Sequence, residues 1–185
     1  MRIISGKYKG MKLNLRIPPG VRPTTDSMKE SIFNILANRM EIEGSVVFDL
    51  FSGSGSLGFE VISRGAELCV FVEKNRKSCS HIKKIAKYLD IPEDNYEIIN
   101  KDAVRFLNSI DDHFPNLKAD LVFCDPFYEQ KVANKILTSL DKCVCVNEGG
   151  IFVIEHEFSE KLMPTERWEI FTTRNFGESE VDFVE

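Results

Sequence analysis

The feature that most constrains the fold is an alternation, from residue 46 to residue 155, of short, near-continuously apolar runs with helical stretches. Strands are expected at Val46 to Leu50, Leu68 to Glu73, Glu97 to Asn100, Leu121 to Cys124 and Ile151 to Glu155. Helices are expected between them at Leu57 to Arg64, Arg76 to Leu89, Ala103 to Ile110 and Glu129 to Lys142. Strands that are apolar on both faces and joined through helices belong in a parallel sheet covered on both sides. The expectation is therefore an α/β fold with a doubly wound, mostly parallel sheet. The last 20 residues alternate instead, Trp168, Ile170 and Thr172 before Phe176-Gly177-Glu178 and Val181 and Phe183 after it. That pattern predicts an antiparallel hairpin at the sheet edge and a seven-stranded sheet in all.

Ahead of this body, Arg2 to Ser5, a Gly6 to Gly10 turn and Met11 to Leu15 read as a β-hairpin closed by Pro18-Pro19-Gly20. Thr24-Thr25-Asp26 then caps a helix whose apolar face is Met28, Ile32, Phe33, Ile35 and Leu36. Residues 1–22 carry six basic residues, Arg2, Lys7, Lys9, Lys12, Arg16 and Arg22, and no acid, leaving 18 basic against 29 acidic residues for the rest. A basic hairpin extension, residues 1–25, thus precedes an acidic body within one domain spanning 1–185, and this asymmetry points to nucleic acid at one end.

The 185 residues, 43% of them hydrophobic, suffice for one full-sized core. No apolar run reaches the roughly 18 residues of a membrane span, and Met1 to Lys7 has no signal-peptide core, so no membrane partner is expected and the cytoplasm is the expected compartment. Five cysteines without a CxxC pair, several within apolar stretches, read as reduced thiols, with neither a disulfide nor a zinc site. Glu155-His156-Glu157 resembles a metal cluster on paper, but neighbouring residues on a strand point to opposite faces. No metal is expected.

Val46 to Gly58 is a strand, a glycine-rich turn and a helix start, and Gly53, Gly55 and Gly58 match GxGxxG. The pattern alone leaves open whether the ligand is a dinucleotide or another adenosyl compound. Asp49 favours the latter, because an acid four residues before the first glycine points negative charge where a pyrophosphate would sit. S-adenosylmethionine carries no phosphate, and its amino group and sulfonium are cationic. Glu73, Asp102 and Asp125 likewise stand at or just past strand ends, the edge where open parallel sheets bind ligands. Glu73, 20 residues after Gly53, is placed to accept ribose hydroxyls, and Asp102 the adenine amine.

Asp125-Pro126-Phe127-Tyr128 follows the fourth strand directly. Methylating an exocyclic amine needs acceptors for its protons, because the lone pair is delocalised into the ring. The Asp125 carboxylate and the Pro126 carbonyl can take that role, and Tyr128 or Phe127 offers a face on which a base can stack. The tetrad by itself leaves the acceptor open among guanine N2, adenine N6 in DNA or RNA, and a protein glutamine amide.

Along nearly its whole length the chain resembles the RsmD-type 16S rRNA guanine-N2 methyltransferases. The matching stretches are Arg2 to Gly10, Arg22-Pro23-Thr24-Thr25-Asp26, Phe33-Asn34-Ile35-Leu36, Asp49 to Gly55, Ser63-Arg64-Gly65-Ala66, Phe71-Val72-Glu73-Lys74 and the tetrad. Phe127 stands where that family usually has a second proline. The resemblance implies a Rossmann-like class I methyltransferase that binds S-adenosylmethionine and modifies the N2 amine of a guanine. The expected cofactor set is Asp49, Phe51, Gly53, Gly55, Glu73, Lys74, Asp102, Ala103 and Asp125. Contact with RNA is expected from Arg2, Lys7, Lys9, Lys12, Arg16, Arg22 and Thr25. The expected partner is ribosomal RNA, in the small subunit or its assembly intermediate, and the expected state is a monomer.

Overall fold

The computed structural model describes residues 2–13, 25–126 and 132–185. Its elements in chain order are α1 (Asp26–Leu36), β1 (Val46–Leu50), α2 (Ser56–Ser63), β2 (Leu68–Val72), α3 (Arg76–Tyr88), β3 (Tyr96–Ile99), α4 (Ala103–Leu107), α5 (Ile110–His113), β4 (Ala119–Cys124), α6 (Ala133–Lys142), β5 (Val146–Glu157), β6 (Ile170–Phe176) and β7 (Ser179–Val184). One seven-stranded sheet runs β3-β2-β1-β4-β5-β7-β6. The first five strands of that order are parallel, and β7 pairs antiparallel with both β5 and β6. No described helix is long and apolar enough to cross a membrane.

Side chains alternate between the two faces of the strands, so the sheet separates two cores. Val47, Phe71, Phe123 and Val153 join α1, α2 and α3 on one face. Phe48, Val70, Val122 and Phe152 join α4 and α6 on the other. Aromatic edges knit each layer: Phe33 meets Phe123 at 5.9 Å on the first face, and Phe48 meets Phe106 at 5.8 Å on the second.

Three features depart from expectation. The helix expected over 103–110 is broken into α4 and α5, because the Val104 and Phe106 carbonyls close α4 against the amides of Asn108 and Ser109 within one turn. The fifth strand starts earlier, at Val146, and bends past Gly149 and Gly150, with a register shift opposite Ala119 and Leu121. Cys143 and Cys145, expected as thiols, are joined as a disulfide with Cα atoms 5.2 Å apart. Cys69, Cys79 and Cys124 are free thiols.

Of the expected N-terminal hairpin extension, residues 2–13 are described and residues 14–24 lie outside the described residues. Across the Gly6 to Gly10 turn an antiparallel bridge joins Arg2 and Lys12, supported by Ile3 N donating to Met11 O at 3.0 Å and Gly10 N to Ile3 O at 2.9 Å. The backbone of the arm is also held by α2. Ile4 N and Ser5 N donate to the Glu60 carboxylate at 2.8 and 3.0 Å, and Lys7 N and Tyr8 N to the Ser63 carbonyl and hydroxyl at 2.7 and 2.9 Å. These four amides of the arm are thereby satisfied by a helix. Gly6 is required there: a Cβ at this position would lie 1.7 Å from the Ser63 carbonyl oxygen. Lys29 of α1, fully buried, lies 3.7 Å from Glu60 and donates to the Arg2 carbonyl, so two buried charges and the arm share one network.

Candidate functional site

β1 ends in a turn that reverses the chain at the carboxyl edge of the sheet. Phe51 there has φ of 60°, a left-handed conformation that a bulky residue adopts only when its surroundings enforce it. Ser52 N donates to Val72 O at 3.1 Å, tying the turn to β2, and Gly55 N donates to Ser52 O at 2.6 Å. Two further amides of the turn and helix start meet acids of the chain itself. Gly53 N donates to Glu73 Oε2 at 2.9 Å, and Gly58 N to Asp49 Oδ2 at 3.1 Å. Gly58 has no room for a side chain: its Cβ would fall 2.2 Å from the Phe71 ring and 2.9 Å from Asp49 Oδ2.

Asp49 is buried at 3% exposure, and burial, reinforced by the nearby charge of Glu73 and opposed by the Gly58 amide, pushes its carboxyl up to about 7. Glu73 also accepts from Asn75 N at 2.7 Å through Oε1. Asn100 donates from its side chain to the carbonyls of Glu73 and Lys74 at 2.9 Å each, locking this corner to the end of β3. Each Glu73 oxygen keeps a further lone pair for a ligand hydroxyl. Sequence reasoning did not anticipate that Asp49 and Glu73 also build the turn.

The expected rim residues do not all share one face. Asp49, Glu73 and Asp125 each stand two residues past a member of the first core, Val47, Phe71 and Phe123 respectively. Asp102 instead heads α4, whose Ala103, Phe106 and Leu107 belong to the second core, and its Oδ1 caps that helix by accepting from Arg105 N at 3.1 Å. Lys74 is exposed and Ala103 buried on either side of the groove end. In spatial order β2-β1-β4-β5, one face carries Glu73, Asp49, Asp125 and a residue that was not singled out, Glu155, two past Val153 and 8% exposed; Asp49, opposite Phe71 and Phe123, lies two residues deeper along the strands than the other three. Pro126 is buried beside Asp125. Phe127 and Tyr128, like Arg16 and Arg22, lie outside the described residues.

Of the basic residues in the arm, Arg2, Lys7, Lys9 and Lys12 are described, and all four are exposed. Arg2 pairs with Asp26 at 2.8 Å, at the head of α1, where Thr25 caps the helix through the amide of Met28. Lys7 and Lys9 sit at the far end of α2, against Ser63, about 12 Å of helix away from the glycine turn. Among the described residues no group of three His, Cys, Asp or Glu side chains is arranged to hold a metal ion.

The glycine turn contains no basic residue and presents two carboxylates, which fits a cationic adenosyl ligand and opposes a phosphate-bearing one. Among solved structures, a hypothetical protein of Thermus thermophilus superposes with a TM-score of 0.82 over 100% of this chain and 99% of its own, at 24% identity. The ribosomal protein L11 methylase of Lactobacillus delbrueckii subsp. bulgaricus does so at 0.64, covering 91% and 83%, at 15% identity. The chain shares the fold of these two structures. The ribosomal RNA small subunit methyltransferase D of Haemophilus influenzae is 32% identical over 179 residues, 96% of this chain and 89% of its own. With its residues 1–185 matching that family's model throughout, the chain belongs to the Conserved hypothetical protein 95 family.

Proposed function

We propose that the protein transfers a methyl group from S-adenosylmethionine to the exocyclic N2 amine of a guanine in small-subunit ribosomal RNA. The observation that carries this reading is the carboxylate row: a glycine turn whose amides are engaged by Asp49 and Glu73, with Asp125-Pro126 one strand away on the same edge. Its place in a family that includes a small-subunit rRNA methyltransferase supports the choice of substrate.

Glu73 is placed to accept from the ribose hydroxyls, Asp102 from the adenine amine, and Asp49 to offset cationic charge. When bound, the cofactor supplies an electrophilic methyl carbon on a sulfonium. Asp125 and the Pro126 carbonyl accept the amine's two hydrogens and turn its lone pair toward that carbon. As the N–C bond forms, the S–C bond breaks, S-adenosylhomocysteine leaves, and the amine's surplus proton passes to Asp125 or water. The base must be unpaired or flipped out for its edge to reach the rim. The arm supplies phosphate contacts.

Methyl transfer from labelled cofactor to 16S rRNA, 30S particles, large-subunit rRNA, tRNA and DNA in parallel, with identification of the product nucleoside, tests this proposal. N2-methylguanosine in 16S rRNA is expected, in naked RNA or in the particle. The Asp125→Ala variant is expected to lose turnover while still binding S-adenosylhomocysteine. Label confined to DNA or protein, or near wild-type turnover by the variant, refutes it.

A further inference from the structure

We infer that Glu155 determines base specificity by accepting the N1–H of the acceptor guanine, beside the amine held at Asp125. The inference rests on the methyltransferase reading above and adds to it a residue and a reason for choosing guanine.

The register fixes where Glu155 stands. β4 and β5 are parallel with Cys124 opposite Ile154, so the next position along each strand carries Asp125 and Glu155. Phe123 and Val153, two residues earlier, lie together in the first core, and both acids continue that face. Neighbouring strands are about 4.8 Å apart, within the width of a single base edge. The row Glu73, Asp49, Asp125, Glu155 therefore runs from the cofactor half of the edge to the acceptor half, with Glu155 one strand beyond the tetrad.

The end of β5 is held firmly. Glu155 pairs with Val181 in the antiparallel ladder with β7, and on the opposite face His156 Nε2 meets Asp182 Oδ2 at 2.9 Å while Nδ1 meets the Glu157 carbonyl at 3.0 Å. Thr173 of β6 donates to the other Asp182 oxygen. Three strands are thus pinned directly behind Glu155, which suits a residue that reads a base.

Carboxylates side by side only accept hydrogen bonds. Guanine presents N1–H next to its N2 amine, two adjacent donors that match them. Adenine presents a donor at N6 next to a lone pair at N1, which would face the Glu155 carboxylate lone pair against lone pair. A site built around a donor rejects a substrate lacking it far more strongly than shape alone allows.

The test uses the purified full-length protein and an RNA in which the mapped acceptor guanine is replaced by 2-aminopurine, which keeps the amine at C2 and has no N1–H. Wild-type protein is expected to methylate guanine at least roughly 100-fold faster than 2-aminopurine in single-turnover assays. In Glu155→Gln the amide can present either oxygen or NH2 to N1, so the ratio is expected to fall to within about 10-fold, with S-adenosylhomocysteine affinity unchanged. Glu155→Asp keeps a carboxylate and is expected to keep the preference at a lower rate. Wild-type acceptance of 2-aminopurine within about 10-fold of guanine, or an undiminished ratio in a folded Glu155→Gln protein, overturns the inference. If the Gln variant does not fold, the wild-type ratio and the Asp variant decide. Absence of methyl transfer to any guanine-containing RNA refutes the function proposed above and is distinguishable from these outcomes.

Discussion

Asp49→Asn should make the protein more stable and the cofactor site worse, by amounts that depend on pH. In the folded chain the Asp49 carboxyl is pushed from its ordinary 3.8 up to about 7, chiefly by burial. Between those values the folded protein holds a proton that the unfolded chain has released, so stability falls as pH rises through this window and levels off above about 7. Each pH unit within it corresponds to about 1.4 kcal/mol, so holding Asp49 ionised at a pH of about 8 costs up to about 4 kcal/mol. Asparagine cannot ionise, and its side-chain oxygen can still accept from Gly58 N, so the turn should survive. Urea unfolding of both proteins at a series of pH values from about 5 to about 8 checks this. The variant's advantage should grow by up to about 1.4 kcal/mol per pH unit until about pH 7 and then stay flat. His156, raised above its ordinary value because the Asp182 and Glu157 bonds together outweigh the larger opposing effect of burial, is common to both proteins and cancels from the difference. Calorimetric titration with S-adenosylmethionine should show weaker binding by the variant at the alkaline end, where wild type offers a full negative charge. Parallel stability profiles, or undiminished affinity in the variant, would refute the reasoning.

Glu73→Ala removes the acceptor of both Gly53 N and Asn75 N as well as the proposed ribose contact. It should weaken S-adenosylhomocysteine binding by about 1.5 to 3 kcal/mol and also lower thermal stability, whereas loss of affinity alone would mean that the turn does not depend on it. Gly6→Ala places a Cβ against the Ser63 carbonyl and should release the arm from α2, read as faster amide exchange at Lys7 and Tyr8 with β1 and β2 still protected. Unchanged protection at those two amides would contradict the packing. Replacing Lys7, Lys9 and Lys12 by Gln should flatten the dependence of log RNA affinity on log salt by up to about 2 to 3 units. Coincident salt slopes would place the RNA elsewhere.

The parallel body was legible because its strands are buried on both faces: Val46 to Leu50 coincides with β1 from end to end, and Leu68 onward with β2. Where burial is incomplete the pattern fades, which is why Asn147, Glu148 and two glycines hid the first third of β5. The anchorage of the arm was hidden for another reason. Alternation and a glycine turn are what a hairpin needs, and only the neighbouring helix, with Glu60 and Ser63 facing the arm's amides, shows that the arm is also tied to α2. A buried lysine such as Lys29 leaves no mark in a helical pattern. The acids at the rim were visible as strand ends, but which of them share a face depends on strand register. That is how Asp102 entered the row and Glu155 stayed out of it: alternation within a strand argued against a metal at Glu155-His156-Glu157, yet the same alternation, combined with pairing to β4, is what aligns Glu155 with Asp125.

The engagement of the turn's amides by Asp49 and Glu73 has a consequence for life in a cell crowded with nucleotides. A glycine turn at the head of a helix is ordinarily a receptor for phosphate, and ATP, NAD and free phosphate are competitors for any such receptor. Here the chain carries its own anions in the places those competitors would take. The same hydrogen bonds that give the turn its shape keep it deaf to phosphorylated adenosyl compounds in its surroundings, leaving it available to a positively charged one.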